Sequence, residues 1–218
     1  MPERTLGYYE SSADSLARRY EGAKVQELQK DLLENLKGRS PILEIGCGSG
    51  REAAFLQAQG FEVVATDGSP AMLEEAKRLH PELSDNARIL QVPSRFPFDD
   101  DTFSAAYSIA LLMHLDADDA SMVLDEIWRV LCPEGLFYFS IPDRALELDE
   151  QGRDQKGRLV HILPREDWME IFQRTGFRPL RQSEQSDGLG RMEIKWLSYV
   201  IEKMPRPDVE NPRISLVW

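Results

Sequence analysis

The sequence is poor in cysteine and carries fewer basic than acidic residues, and both deficits narrow what the protein can be. Its 218 residues include two cysteines, Cys47 and Cys132, too few for a disulfide framework, so we expect both to be reduced. Lysine and arginine number 26 against 38 aspartates and glutamates, which gives a formal net charge of −12. Because a surface this acidic repels phosphate backbones, we expect no nucleic-acid partner.

Long apolar segments are also missing. The longest apolar stretch, Ala105–Met113, is interrupted by Ser108 and is too short to span a bilayer. The first residues, Met1-Pro2-Glu3-Arg4, lack the apolar core of a signal peptide. We therefore expect a cytoplasmic protein with no membrane partner. Apolar residues make up 42% of the chain, which suits one well-buried α/β domain of this length.

The most informative segment is Ile42–Gly50, which begins with an apolar run that contains Glu44. Three glycines follow at alternate positions: Gly46, Gly48 and Gly50. The segment predicts a strand, a loop and a helix, and glycines without a Cβ let a ligand approach the loop's backbone. A dinucleotide fingerprint counted from the first glycine fails at Arg51, and one counted from the second passes only in its relaxed form, at Ala53. No P-loop lysine follows either.

A second motif ends the next predicted strand, Phe61–Thr66, where Asp67 stands 23 residues after Glu44. This is near the offset at which a strand-end carboxylate meets ribose hydroxyls in mononucleotide-binding βαβ units. A carboxylate accepts hydrogen bonds from both hydroxyls of a cis-diol, and such charge-assisted bonds are strong. The sequence therefore predicts a nucleoside site at this sheet edge.

The rest of the chain alternates predicted strands and helices. Further strands are predicted at Arg88–Val92, Phe103–Ile109, Leu136–Ile141, Phe177–Gln182 and Glu193–Glu202. Helices are predicted at Val25–Leu36, Gly50–Gln59, Ser69–Leu79, from near Asp118 to Leu131, and at Trp168–Thr175. A long polar loop is predicted between them at Pro142–Leu163. This alternation predicts a doubly wound, mostly parallel sheet, and the two final strands predict a terminal hairpin.

The glycine loop and the strand-end aspartate resemble motif I and the ribose-binding acid of class I S-adenosylmethionine-dependent methyltransferases, of the small-molecule, methyltransferase type 11-like kind. The resemblance runs from about Leu6 to Glu202. It implies an α/β, Rossmann-like doubly wound sheet of seven strands, in the order 3-2-1-4-5-7-6 with strand 7 antiparallel. It also implies an N-terminal lid segment at 1–40, a cofactor-binding domain at 41–203 and a C-terminal arm at 204–218.

The resemblance implies S-adenosylmethionine as the cofactor and S-adenosylhomocysteine as its product. The matching cofactor positions are Glu44, Gly46, Cys47, Gly48, Gly50, Asp67, Gly68, Met72, Pro93, Ser94 and Ser108. Glu44 is expected to balance the positive charge at the methionine end, and Asp67 to hold the ribose. Met72 is expected at the adenine, although a core methionine fits its position nearly as well. Pro93 replaces an aspartate usual in the family, which leaves the adenine to backbone groups of Ser94 and to apolar packing.

Six side chains are candidates for catalysis or acceptor binding. The predicted catalytic residues are His114, Tyr9 and Tyr20, and the predicted substrate-binding residues are His161, Arg191 and Trp196. His114 follows strand four at the carboxyl end of the sheet, where α/β proteins bind ligands. The tyrosines lie in the segment that folds over the cofactor in similar methyltransferases. Arg191 suits an anionic group and Trp196 a planar one. Structural alternatives are a loop-bonded histidine for His114, a surface histidine for His161, aromatic anchors of the lid helix for the tyrosines and core packing for Trp196.

These features together predict an S-adenosylmethionine-dependent methyltransferase for a small-molecule acceptor, without a metal, as a monomer or homodimer. A binding module that keeps the cofactor pocket without turnover is an alternative, favoured by Pro93 and Glu134, and a protein methyltransferase is another. A nicotinamide-dependent dehydrogenase shares the sheet, but Arg51 and the terminal hairpin count against it. The net charge and the sequence after strand four disfavour a nucleic-acid methyltransferase.

Overall fold

The computed structural model of the chain describes residues 3–143, 147–191 and 194–206. Its helices are α1 (Glu3–Glu21), α2 (Gln26–Leu36), α3 (Arg51–Ala58), α4 (Pro70–Leu79), α5 (Ala117–Val130) and α6 (Arg165–Thr175). Its strands are β1 (Ile42–Ile45), β2 (Val63–Asp67), β3 (Ala87–Ile89), β4 (Phe103–Ile109), β5 (Leu131–Pro142), β6 (Phe177–Ser186) and β7 (Lys195–Lys203). Short 3-10 turns lie at Pro81–Leu83 and Leu112–His114. Within those ranges, no helix is long and apolar enough to cross a membrane.

The strands form one seven-stranded sheet in the order β3-β2-β1-β4-β5-β7-β6. The pairs among β1 to β5 are parallel, and β7 runs antiparallel to both β5 and β6. The predicted order and the antiparallel final strand are therefore confirmed. β2 and β3 are added to one side of β1 and the later strands to its other side, beginning with β4. The strand order therefore reverses beside β1, and α/β sheets bind ligands at such a point.

Apolar side chains pack on both faces of the sheet. Alternate residues of β5 point to opposite faces, so Phe137 and Phe139 join one core while Leu136 and Tyr138 join the other. The first core lies against α5 and α6, and the second lies against α2, α3 and α4. Two covered faces explain why the central strands are apolar runs rather than alternating patterns.

Local sequence signals fix several helix ends. Ser69 caps α4 because its hydroxyl oxygen accepts a hydrogen bond from Met72 N at 3.2 Å, and Pro70 follows at the first helical position. Asp116 caps α5 by accepting from Asp119 N at 2.9 Å. Gly176 ends α6 with a φ of +78°, which glycine adopts at little cost. Ser69 and Asp116 follow β2 and β4 and so lie at the carboxyl edge of the sheet, whereas Gly176 precedes β6 and lies at the opposite edge.

Some predicted boundaries were wrong. β3 ends at Ile89 rather than at 92, because Ile89 pairs with Asp67, the last residue of its neighbour β2. β5 begins at Leu131 rather than at 136, since its pairing with β4 continues through an irregularity. β7 begins at Lys195, and the predicted start at Glu193 lies outside the described residues. Of the predicted arm, 207–218 also lies outside them.

The N-terminal helix α1 lies over the start of α4. Ala13 and Leu16 of α1 pack with Met72. The Glu10 carboxylate accepts hydrogen bonds from the Ser69 hydroxyl and, at 3.1 Å, from Ala71 N. α1 is thereby held at the carboxyl end of β2, beside the predicted nucleoside site.

Candidate functional site

A cavity of about 510 Å³ opens at the carboxyl ends of the central strands, a size typical of small-molecule sites. Its walls come from α1, the start of α2, the glycine loop, the ends of β2 and β4, and the segments at 156–158, 185–191 and 194–196. The predicted site residues that line it are Tyr9, Tyr20, Glu44, Gly46, Cys47, Gly48, Asp67, Gly68, His114, Arg191 and Trp196. The fold thus brings the predicted cofactor motifs and the predicted catalytic residues to one cavity.

Two glycines of the loop have different roles. Gly48 has a φ of +55° and lines the cavity, and a Cβ there would lie 3.5 Å from the ring of Tyr20. Gly50 has a φ of +81° and faces inward, where a Cβ would lie only 2.6 Å from a methyl of Leu83. The first keeps the cavity wall bare, and the second lets the loop pack against the turn after α4.

Asp67 joins the glycine loop to the start of α4. Its two carboxylate oxygens accept hydrogen bonds from Gly48 N and Ser69 N, each at 2.9 Å. Burial raises the pKa of this carboxyl to about 6, against the lowering effect of these backbone N–H groups. Each oxygen has lone-pair capacity left, so an ionised Asp67 can still accept hydrogen bonds from a ligand.

Glu44 is a buried acid in the cavity wall. One of its carboxylate oxygens, Oε2, has no hydrogen-bond partner among the described residues. Burial raises the pKa of Glu44 well above its usual range, and the nearby Glu52 carboxylate adds to the effect. Glu52 itself is paired with Arg51 at 2.6 Å. Oε2 is shielded from solvent, whereas Glu44 as a residue lines the cavity, so its carboxyl group is suited to a cationic or hydrogen-bond-donating ligand group.

A chain of hydrogen bonds crosses the other side of the cavity. The Tyr9 hydroxyl lies 2.9 Å from His114 Nε2, and Arg158 Nη1 donates to the same hydroxyl oxygen at 3.0 Å. His114 Nδ1 lies 2.6 Å from the Leu159 carbonyl oxygen. Burial lowers the pKa of His114 to about 4, so its imidazole is neutral at pH 7. Arg158 is a residue that the sequence analysis missed.

Arg158 belongs to a five-residue turn that the chain uses three times. The three copies read Asp-x-x-Gly-Arg and span 149–153, 154–158 and 187–191. In each, one carboxylate oxygen of the aspartate accepts hydrogen bonds from the third and the fifth backbone N–H, at 2.8–3.1 Å. The fourth residue is a glycine with φ between +73° and +77°. The pattern is visible in the sequence, and it could have indicated structured turns within the predicted loop.

Two of these turns carry an arginine to the cavity. The Nε and Nη2 atoms of Arg158 donate to Asp154 Oδ2 at 2.8 and 2.6 Å. Arg191 makes the corresponding bonds with Asp187, at 3.0 and 2.6 Å. Trp196 Nε1 also donates to Asp187 at 2.9 Å, and with these donors the pKa of Asp187 is about 2. Nε and Nη2 of Arg191 are therefore already paired with Asp187, and Nη1 has no partner among the described residues.

Six predicted site residues do not line the cavity: Gly50, Met72, Pro93, Ser94, Ser108 and His161. After β3 the cavity wall is formed by Leu90, Gln91 and Val92, because the strand ends earlier than predicted. The exposed Ser94 hydroxyl donates to the Gln91 carbonyl at 2.6 Å. The predicted adenine contacts at Pro93 and Ser94 therefore lie beyond the wall.

The other residues of this group have structural partners. Met72 is buried beneath α1. The buried Ser108 hydroxyl donates to the Ile45 carbonyl at 2.8 Å and so ties β4 to β1. His161 N donates to the Met113 carbonyl at 2.7 Å. Across the described ranges, no three histidine, cysteine or acidic side chains are grouped so that they could hold a metal ion.

Comparison with known proteins finds methyltransferases among the similar sequences. Residues 43–139 match the model of a methyltransferase domain family. The chain is 29% identical over 161 residues to the O-methyltransferase resE of Aspergillus sclerotiorum, covering 68% of this chain and 58% of that protein. It is 32% identical over 154 residues to the malonyl-[acyl-carrier protein] O-methyltransferase of Salmonella typhimurium, covering 66% and 58%. It is 36% identical over 116 residues to an 18S rRNA (guanine(1575)-N(7))-methyltransferase of Saccharomyces cerevisiae, covering 50% and 42%. The chain thus spans about half the length of these relatives.

Solved structures show the same fold. A 1,6-didemethyltoxoflavin-N1-methyltransferase of Burkholderia thailandensis, solved with S-adenosylhomocysteine, has a TM-score of 0.72 at 20% identity, covering 93% of this chain and 88% of that one. The [4+2]-cyclase SpnF has a TM-score of 0.69 at 17% identity, covering 93% and 97%. Residues 43–139 therefore match a methyltransferase domain family, and the chain has the seven-stranded fold of the class I, S-adenosylmethionine-dependent methyltransferases.

Proposed function

We propose that this protein is an S-adenosylmethionine-dependent methyltransferase that acts on a small-molecule acceptor. The observation that supports it most is the shared cavity. The glycine loop, Asp67 and Glu44 line one side, and Tyr9 and His114 line the other. A cofactor site and a candidate proton acceptor in one cavity are the minimum that methyl transfer to a protic group requires.

The residues present fit this cofactor. Glu44 lines the cavity beside the glycine loop, where its carboxyl group can accept a hydrogen bond from the cofactor's amino-acid end. The bare backbone at Gly48 leaves room that a Cβ would fill, and Asp67 retains acceptor capacity for the ribose hydroxyls. Leu90 and Val92 offer an apolar wall for the adenine. When bound, S-adenosylmethionine supplies a methyl group that is bonded to a sulfonium sulfur. The leaving group is the thioether that remains, which is neutral and leaves readily.

The acceptor side of the cavity favours a small molecule with an oxygen-rich or anionic group. Its walls include Met113, Leu189, Ile194 and the half-buried Trp196, which offer apolar contact. Basic side chains also face it, although the protein as a whole is acidic: Arg19, Lys24, Lys156, Arg158 and Arg191. α1 and the start of α2 form part of its walls, so the cavity suits an acceptor small enough to be enclosed.

Relatives differ in their acceptors, so the acceptor class has to be tested. Their names include O-methyltransferases, a sterol 4-C-methyltransferase and an rRNA methyltransferase. The test titrates S-adenosylhomocysteine into the protein by calorimetry, with NAD as a control. Labelled S-adenosylmethionine is then offered with a small-metabolite library, a protein extract and an RNA pool. Label that transfers only to small molecules supports the proposal, and transfer to RNA or protein contradicts its acceptor class.

A second candidate is a cofactor-binding protein without methyl transfer. The structural neighbour titled a [4+2]-cyclase has the same fold, so this fold does not by itself fix the reaction. In that case calorimetry would show binding of S-adenosylhomocysteine, while no acceptor in any pool would become labelled. Tyr9→Phe and His114→Asn would then leave every measured property except stability unchanged.

A further inference from the structure

The hydrogen bonds around Tyr9 and His114 have only one consistent direction. The Leu159 carbonyl oxygen can only accept, so His114 Nδ1, which lies 2.6 Å from it, carries the ring proton. Nε2 of the neutral imidazole is then a bare acceptor. The Tyr9 hydroxyl, 2.9 Å away, must donate its proton to it.

Arg158 enforces this direction from the other side. A guanidinium has donors only, so the bond from Nη1 to the Tyr9 oxygen uses one lone pair of that oxygen and repels the hydroxyl proton. The Tyr9 proton is thereby aimed at His114, and one lone pair on the Tyr9 oxygen remains. Arg158 keeps its place because Asp154 holds Nε and Nη2, and the side chains of both residues are nearly buried, at 11% and 9% exposure.

The charged groups around the pair keep His114 neutral in the resting protein. The groups that act on Tyr9 are Arg158, Asp67, Tyr8 and Tyr20, and those that act on His114 are Arg158, Asp154 and His161. Lys156 lies over the Tyr8 ring at 5.7 Å. The nearest full charge on Tyr9 is the Arg158 cation, which opposes an imidazolium at His114, while burial raises the pKa of Tyr9 so that its hydroxyl keeps its proton.

We infer that Arg158 is a positioning residue that orders a proton path from the acceptor through Tyr9 to His114, and that the acceptor reacts through a hydroxyl group. This inference rests on the proposed function. The acceptor's O–H bond breaks and its proton joins the Tyr9 oxygen, while the Tyr9 proton moves to His114 Nε2. The electron pair of that O–H bond stays on the acceptor oxygen, and His114 later releases the extra proton to solvent.

A weakly basic histidine suffices for this path. A hydroxyl oxygen that gains a third bond becomes strongly acidic, so even a buried imidazole can take its proton. A histidine that stayed protonated at pH 7 could not accept anything. The role of Arg158 is therefore to keep Nε2 free and to fix the Tyr9 proton toward it.

The first test needs no turnover. The chain has three histidines, so ¹⁵N NMR of the rings can follow His114 separately across pH. We expect the Nδ1–H tautomer in the wild type. In Arg158→Gln the pKa of His114 should rise by about one unit, because the nearby cation is gone. Arg158→Lys, which keeps the charge, should leave that pKa near the wild-type value.

Arg153→Gln is the matched control. Arg153 occupies the same position of the preceding turn and donates to the Gly157 carbonyl at 2.8 Å, but it does not line the cavity. It should leave the His114 tautomer and pKa unchanged. An Nε2–H tautomer in the wild type overturns the proton path without any variant. An equal response in Arg153→Gln and Arg158→Gln overturns the assignment of Arg158.

The second test separates this inference from the proposed function. S-adenosylhomocysteine should bind the wild type and Arg158→Gln equally, while kcat toward hydroxyl acceptors falls roughly tenfold and the acidic limb of its pH profile moves upward. Arg158→Lys should restore part of that loss. Methyl transfer to proton-free nitrogens, with no effect of Arg158→Gln, would overturn the hydroxyl class. Failure to bind S-adenosylhomocysteine would overturn the proposed function while leaving the NMR result standing.

Discussion

The two sides of the cavity are built in different ways. On the cofactor side, Gly48 and Asp67 lie 19 residues apart and are joined through backbone N–H groups. On the acceptor side, Tyr9 bonds His114 across 105 residues and Arg158 across 149. Thr5 also accepts from Leu159 N across 154 residues, at 3.0 Å. The first side is a local βαβ feature, whereas the second exists only when three distant segments have assembled.

Removing the imidazole of His114 should have the largest effect. It should reduce turnover without weakening cofactor binding, and so distinguish the two sides of the cavity. His114→Asn keeps a donor toward Leu159 but loses Nε2, so we expect kcat to fall about 100-fold, or ~2.7 kcal/mol. Affinity for S-adenosylhomocysteine should stay within twofold of the wild type. Labelled methyl transfer and calorimetry measure the two quantities. His161→Asn is the control, since His161 does not line the cavity. An equal loss of kcat in His161→Asn would contradict the division of the cavity into two sides.

Asp67→Ala tests the cofactor side. We expect affinity for S-adenosylhomocysteine to weaken by roughly 1–3 kcal/mol, because the ribose loses charge-assisted hydrogen bonds. Calorimetric titration gives the change directly. Asp85→Ala, an exposed aspartate outside the cavity, should bind as the wild type does. Unchanged affinity in Asp67→Ala would remove Asp67 from the cofactor site.

The same aspartate predicts a pH dependence of cofactor binding. Its pKa of about 6 means that most molecules carry a protonated Asp67 at pH 5 and an ionised one at pH 7.5. We therefore expect affinity for S-adenosylhomocysteine to be about tenfold weaker at pH 5 than at pH 7.5.

The free protein should behave in the opposite sense. Because the folded-state pKa of Asp67 is above its usual value of 3.8, this group's contribution to stability falls as the pH rises from about 4 to 6. Calorimetry and urea unfolding across this range measure both effects. Asp67→Asn should flatten both curves, and a wild-type affinity that is constant from pH 5 to 7.5 would argue against the raised pKa.

Thr5→Val should have the smallest effect, on the junction between α1 and the loop at 158–159. The buried Thr5 hydroxyl accepts from Leu159 N, and its loss should lower the free energy of unfolding by about 1 kcal/mol. Urea unfolding measures the change. Ser11→Ala, which removes an exposed hydroxyl on the same helix, should leave stability unchanged. In Thr5→Val, KM for the acceptor should rise, while affinity for S-adenosylhomocysteine should change less.

The sequence predicted what local patterns determine. The alternation of strands and helices was enough for a doubly wound sheet, and the last two strands for a terminal hairpin, while the strand order came from the family resemblance. The glycine loop and the next strand-end acid were enough to find residues that line the cavity. The resemblance also pointed to Tyr9 and His114 as separate candidates, but neither residue's pattern indicates that they touch.

Other features could not be predicted for physical reasons. β5 begins at Leu131 because pairing with β4 continues through Cys-Pro-Glu-Gly, a run that by itself indicates a turn. β3 ends at Ile89 because its neighbour β2 ends at the paired Asp67, and the residues that follow, Leu90–Val92, line the cavity. The place of Arg158 depends on the packing of α1 against a loop far away in the chain, and such packing leaves no local signal.

The Asp-x-x-Gly-Arg turn has a consequence for how the acceptor preference can change. Its frame depends on the aspartate, the glycine and the arginine, while the two middle positions hold different residues in each copy. In two copies the third position lies in the cavity wall, as Lys156 in one and Leu189 in the other. One shared scaffold thus presents a cation at one place and an aliphatic group at another. Mutation at these two positions can alter the ligands that the protein selects while the backbone beneath them keeps its shape.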